Sequence, residues 1–390
     1  MTDRQTDRQT DRQTDRQTAI RDSGIELLKI FAIFIIVISH VTQTLNAQNL
    51  DISYHSYVID VSKATTDINT IILLLFRYFG AWGNSIFFIC SAWFLLRSSS
   101  FNKKKWFFML VEIWSVSVLI LTITYPILHG GISTTIIIKS FFPTLFANNW
   151  YMTCYLLFYP IHPLLNVVIK RMSQVQLFRS TTILTLLYIF IDFIKDDCFF
   201  PSRLILWMAI YFIIAYMQKY LMKYADNSKI NLNLIILNII CLIVLTGVTE
   251  VAGLHFKVLN GQMKHWVSLS NPFLIFASIA MFNIARNVHF INKFINYISS
   301  LSLLIYIIHE NVILLKYFRP AMWNYVYHTF GYAHVIEWVF VLSIVVFVFG
   351  ILAAVLYTAI LKRPVSYLCD RMYCQLRRKY LRFEGVCLNR

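Results

Sequence analysis

From residue 25 onward the sequence is a succession of apolar runs long enough to cross a bilayer. A hydrocarbon core about 30 Å thick takes about 20 helical residues to span. With no water there, every backbone N–H and C=O must bond within its own segment. That confines such runs to helices. Ten of them lie near 27–45, 79–96, 106–128, 149–169, 180–195, 203–222, 231–252, 271–286, 298–317 and 336–361. Only 14% of the residues are charged and 58% are hydrophobic, whereas a soluble domain carries about 25% charged residues. The fold class is therefore all-α integral membrane protein, a bundle of about ten transmembrane helices. In the second run Arg77 and Gly80 intervene, so residues 67–79 read as an interfacial segment. The fifth is short and ends in Asp192, Asp196 and Asp197.

The basic residues orient the bundle. With the N-terminus inside, the inner loops take Arg97, Lys103–Lys105, Lys170, Arg171, Arg179, Lys219, Lys223, Lys229, Arg286 and Lys293, plus those flanking the bundle. The outer loops take Lys63, Lys139, Lys195, Arg203, Lys257, Lys264, Lys316 and Arg319. The inner excess is roughly three to one, as the positive-inside rule requires. Both termini are expected in the cytosol, and the protein in the cell membrane as a multi-pass chain. The formal charge of +16 then faces anionic inner-leaflet lipid, and no nucleic-acid partner is needed to explain it. Residues 1–24 form a polar tail that includes four Thr-Asp-Arg-Gln repeats at 2–17. Such a repeat has no apolar face to bury and is expected to be disordered. Residues 25–361 form the membrane domain and 362–390 a basic tail. The first run lacks a small-residue cleavage site and reads as an uncleaved anchor. The seven cysteines form no CxxC pair or His-linked metal spacing, so no metal is expected.

Polar groups inside spans are costly and mark candidate sites. In the first span Lys29 precedes His40 by eleven residues. Eleven steps of about 100° fall within ~20° of three full turns, so the two share a face about 16 Å apart. The second span carries Asn84, Ser85 and Ser91 and ends at Arg97; the fourth opens with Trp150, Tyr151 and Tyr155; the ninth holds Tyr306, His309, Glu310 and Asn311. From the cytosolic helix starts, His40 lies about 22 Å up and the His309–Glu310 pair about 17 Å up. The histidines thus converge in the outer half, with Lys29 and Arg97 near the inner mouth.

Four segments in order resemble the membrane acyltransferase-3 family of multi-spanning O-acyltransferases: LLKIFAIFIIVISH, GNSIFFICSAWFLL, NNWYMTCYLLFYPIHPLLN and SLSLLIYIIHENVIL. The resemblance covers roughly residues 22–361 and is strongest to members encoded with bacterial surface or exopolysaccharide genes. Ala92 replaces the glycine usual after Ser91, and only Arg97 stands where some members carry Arg-x-x-Arg. The resemblance implies transfer of an acyl group, commonly acetyl from acetyl-CoA, to a sugar hydroxyl, with no permanently bound cofactor. A poorly nucleophilic hydroxyl needs a base near neutral pKa, which histidine supplies. His40 is expected as that base. Glu310 either orients a histidine or stays protonated and donates a hydrogen bond, and His309 shares the site. Lys29, Arg97 and Ser91 are expected on the acyl-CoA side, and Trp150 and Tyr151 against the glycan or lipid-linked sugar acceptor.

Each residue also has a plainer reading. A buried histidine often bonds a neighbouring helix. Lys29 can snorkel, Arg97 can serve topology alone, and Trp150 and Tyr151 can belong to an interfacial belt. His162, His255, His265, His289, His328 and His334 read as loop or interfacial residues. The alternative function is a multi-spanning transporter or lipid-linked glycan flippase, with a membrane sensor or scaffold third. Matched helix breaks in two halves would favour a transporter, but Pro126, Pro160, Pro163, Pro272 and Pro320 fall at unmatched places.

Overall fold

The computed structural model describes residues 22–44, 67–98, 100–190, 200–259, 268 and 270–388. The Thr-Asp-Arg-Gln repeats, Lys63, Lys195, Lys264 and the Asp192, Asp196, Asp197 group lie outside the described residues. Every described element is helical. In order they are α1 (Ser23–Thr44), α2 (Ile68–Leu95), α3 (Lys103–Ile127), α4 (Thr134–Phe141), α5 (Trp150–Arg171), α6 (Gln174–Tyr188), α7 (Phe200–Tyr220) and α8 (Met222–Ala225). There follow α9 (Ser228–His255), α10 (Pro272–Arg286), α11 (Lys293–Ser300), α12 (Ser302–His309), α13 (Arg319–Phe330), α14 (Val335–Ile360) and α15 (Lys362–Leu388). Helix starts follow cap chemistry: side-chain oxygens of Asp67, Asn102, Ser173, Asn227, Asn271 and Asn292 each accept a first-turn N–H, satisfying donors a helix cannot satisfy itself.

Among the described residues six helices are long and apolar enough to cross a membrane: α1, α2, α3, α5, α9 and the Tyr332–Ile360 helix containing α14. Two sequence expectations change. Residues 67–79 are not a separate interfacial segment; α2 runs unbroken from Ile68. Gly80 is there for close approach, since a Cβ would stand 2.7 Å from Ser39 Oγ. The ninth expected span is not one helix. It is divided among the end of α11, α12 and a π-helical turn at Leu314–Phe318, with α13 beginning just beyond it. The break falls at Glu310 and Asn311, whose side-chain Oδ1 caps the next turn through the Ile313 N–H at 2.9 Å.

α1 is the central helix. Within its apolar window 67% of residues are buried, against 22% for α9, which faces outward. Its start is held where Gly24 approaches α10 so closely that a Cβ would meet the Ala285 and Val288 carbonyls at 2.3 Å. There Ser23 Oγ donates to Asn296 Oδ1 at 2.8 Å. Its middle packs on α2 across Gly83, where a Cβ would lie 2.5 Å from the Ala32 carbonyl. Its last turn is covered by α13: Trp323 Nε1 donates to the Val41 carbonyl at 2.9 Å. One end of the bundle collects Lys29, Arg97 and Lys103–Lys105; His40 lies toward the other.

Gly83→Leu should force α1 and α2 apart and cost about 1–3 kcal/mol by overpacking. Thermal unfolding of the purified protein in detergent checks this. An unchanged midpoint would mean that the two backbones do not meet at Gly83.

Candidate active site

Three elements deliver the site, one of them far from the other two in sequence. α1 contributes His40, the broken end of α12 contributes His309 and Glu310, and the first residue of α13 contributes Arg319. All four are largely or fully withdrawn from solvent. His309 Nδ1 lies 2.9 Å from the Ile305 carbonyl four residues back. That oxygen can only accept, so Nδ1 carries the proton and Nε2 the lone pair. His40 Nδ1 lies 3.0 Å from His309 Nε2 and 2.8 Å from Glu310 Oε1. Both partners accept, so His40 Nδ1 is the donor and its basic lone pair sits on Nε2. The two rings stack at 5.2 Å.

The helix break frees the His309 carbonyl, and Arg319 answers it. One guanidinium nitrogen, Nη2, donates to that carbonyl and, at 2.9 Å, to Glu310 Oε1; Nη1 reaches the His40 carbonyl at 3.4 Å. A helix end inside an apolar bundle must find such partners. Arg319 had read only as an outer-loop charge. Its sequence signal was slight: an arginine followed by Pro320, nine residues after an intramembrane glutamate.

The ligating atoms of His40, His309 and Glu310 lie within 4.8 Å of one another, a spacing that three-ligand metal sites use. Arg319 already supplies the cation against Glu310, and His40 Nδ1 points a proton, not a lone pair, into the cluster. The arrangement is that of a carboxylate orienting an imidazole.

A cavity of about 250 Å³ opens beside this cluster, lined in part by Asn84, Ser91, Lys105, Tyr151, Tyr155 and Tyr306. Its wall is mostly apolar and aromatic. Two lining groups, Ser302 Oγ and Tyr306 Oη, are buried with no hydrogen-bond partner among the described residues. Tyr306 joins the two regions, since its ring meets His309 edge-on at 5.7 Å. Ser91 and Tyr151 are therefore gathered on one cavity, and His40, His309 and Glu310 on the adjoining cluster.

The other expected residues lie nearby but not on the cavity wall. Lys29 pairs with Glu26 at 3.0 Å and stands 6.0 Å from the Phe94 ring centre. Arg97 is exposed, with its guanidinium 4.8 Å from the Trp93 ring centre. Trp150 packs on Tyr151 and holds Arg203 over its own ring at 4.6 Å. The cation that does line the cavity is Lys105. It was legible as one of three lysines starting a span, but not as the inward one; Met109, one turn on, shares its face. His162 is corrected too. It is buried inside α5 rather than at an interface, with Nδ1 on the Tyr159 carbonyl. Pro163 has no N–H to offer that carbonyl, and the preceding histidine supplies one instead.

A family model described as an acyltransferase domain, that of the acyltransferase-3 family, matches residues 22–363. No curated protein and no solved structure matches the chain.

Removing one partner of a buried pair leaves the other charge uncompensated, typically at about 3–5 kcal/mol. Arg319→Gln should therefore lower stability strongly, and Arg319→Gln with Glu310→Gln should cost less than the sum of the single changes, with a coupling of about 1–3 kcal/mol. A double-mutant cycle on unfolding in detergent measures this; additive costs would dissolve the pair. Elemental analysis of the purified chain should find no stoichiometric zinc, and one zinc per chain would replace the hydrogen-bonded reading with a metal centre.

Proposed function

The chain belongs to this acyltransferase family, and we propose that it moves an acyl group, acetyl in the simplest case, from acyl-CoA to a sugar hydroxyl of a surface polysaccharide or its lipid-linked precursor. The observation that carries the reading is the 2.8 Å contact between His40 Nδ1 and Glu310 Oε1. It gives His40 a fixed tautomer with Nε2 as the base. In the proposed step Nε2 takes the proton of the sugar hydroxyl as its oxygen attacks the thioester carbonyl. The C–S bond then breaks, and the imidazolium returns the proton to the departing thiolate. Glu310 stabilises the imidazolium, and Arg319 keeps Glu310 ionised and in place. Glu310 acts as orienter in this scheme rather than as a protonated donor.

Supporting the donor assignment, the largely apolar cavity suits a pantetheine arm. Lys105 on its wall, with Lys29 and Arg97 at the same end of the bundle, offers cations for CoA phosphates. Ser91 and Tyr151 would line the arm's path, which moves Tyr151 from the acceptor side to the donor side. Trp150, engaged with Arg203, keeps only a supporting place. We place the basic end in the cytosol of a ten-span, cell-membrane protein, where acyl-CoA is made.

Membranes holding the protein, given acyl-labelled acetyl-CoA and the cell's own glycan, should transfer label. His40→Ala at equal protein level should lose about 10²–10⁴-fold in rate. Lys105→Gln should raise the KM for acetyl-CoA with kcat little changed, the mark of binding that is uniform along the reaction. Undiminished transfer by His40→Ala would overturn the reading.

A further inference from the structure

Arg77 lies ten residues into α2, about 15 Å beyond its Asp67 cap. Its Nε and Nη1 are shut off from solvent, and neither has a hydrogen-bond partner among the described residues. No described carboxylate pairs with it. Arg319, by contrast, has both Nη1 and Nη2 bonded within the protein. An arginine does not shed its proton, and an isolated guanidinium within a bundle costs several kcal/mol. Nη2 is the one guanidinium nitrogen not shut off, and an anion reaching it would compensate the charge.

Its position says which one. Arg77, Asn84 and Ser91 recur every seven residues, so each is displaced only about 20° around α2 from the last. Asn84 and Ser91 line the cavity. Arg77 continues the same face about 10 Å past Asn84, away from Lys29, Arg97 and Lys105. At that level Ser39 Oγ donates to the Arg77 carbonyl at 3.0 Å, and Ser39 is the immediate neighbour of His40. The proposed function already assigns the donor to the cations at the opposite end. We propose that Arg77 binds an anionic oxyacid group carried by the acceptor, a diphosphate or a sugar carboxylate, and that the acceptor is therefore a charged lipid-linked sugar or uronic acid glycan rather than a neutral one. This rests on the acyl-transfer reading for the word acceptor, but not for the anion site itself.

The test reads binding, not transfer. The full chain in phosphatidylcholine nanodiscs is titrated with farnesyl diphosphate and with glucuronate, each against its neutral counterpart, farnesol or glucose. One anionic probe should bind better than its counterpart. Arg77→Gln should weaken that probe roughly 10- to 100-fold, as expected for loss of a charge-assisted bond, and leave the neutral one unchanged. Arg77→Lys, which keeps the charge, should retain most of the affinity and guards against a variant that merely misfolds. Equal affinities for wild type and Arg77→Gln would overturn the site. Native mass spectrometry after exposure to phosphatidylglycerol covers the membrane as source. Phosphatidylglycerol held by wild type, lost by Arg77→Gln and displaced by neither probe would make the counter-ion a lipid and overturn the acceptor assignment. Because no acyl group moves, a null result leaves the His40 chemistry standing, and failure of that chemistry leaves these affinities unaffected.

Discussion

Arg319 resolves three debts that an apolar interior would otherwise leave open. It neutralises the Glu310 carboxylate, it occupies the carbonyl exposed where α12 stops at His309, and it reaches the last turn of α1. Remove the guanidinium and the break in α12 has no donor, Glu310 has no fixed counter-ion, and His40 loses a steady partner for its Nδ1 proton. The site can be broken backbone, paired charge and basic imidazole at once because one planar group with several donors satisfies all of them.

The remaining architecture serves that junction by keeping α1 at the centre. Glycines at 24 and 83 let neighbouring backbones come within contact distance, so α1 is gripped along its length and His40 is placed by packing rather than by a loop. Tyr306 then sets the boundary between the cluster and the cavity. Its ring lines the cavity on one side and meets the His309 imidazole on the other.

Much of this was readable in the chain, and the gaps have physical causes. His40, His309 and Glu310 stood out because ionisable groups are rare in apolar runs, and helical arithmetic put Lys29 and His40 on one face. Lys29's partner was three residues away at Glu26, yet a topological reading of the lysine made the pairing invisible. Arg319 was hidden because hydropathy assigns a charge after an apolar run to a loop; nothing local reveals that the run folds back. The same habit misread α2. Arg77 and Gly80 look like interruptions, although the helix runs unbroken through both and the glycine sits where another helix touches. His162 escaped because its role is to replace a proline's missing donor, a three-dimensional need with no periodic signature.

The contacts of α1 also carry a meaning in time. Glu26 meets Ser299, His40 meets Glu310 and Val41 meets Trp323, so α1 finds these partners only about 270–280 residues later in the chain. At about 5–20 residues per second, His40 waits on the order of tens of seconds for Glu310, whereas Glu26 has Lys29 beside it on the same helix. A chain interrupted before Ser299 would leave both Glu26 and His40 without these later partners.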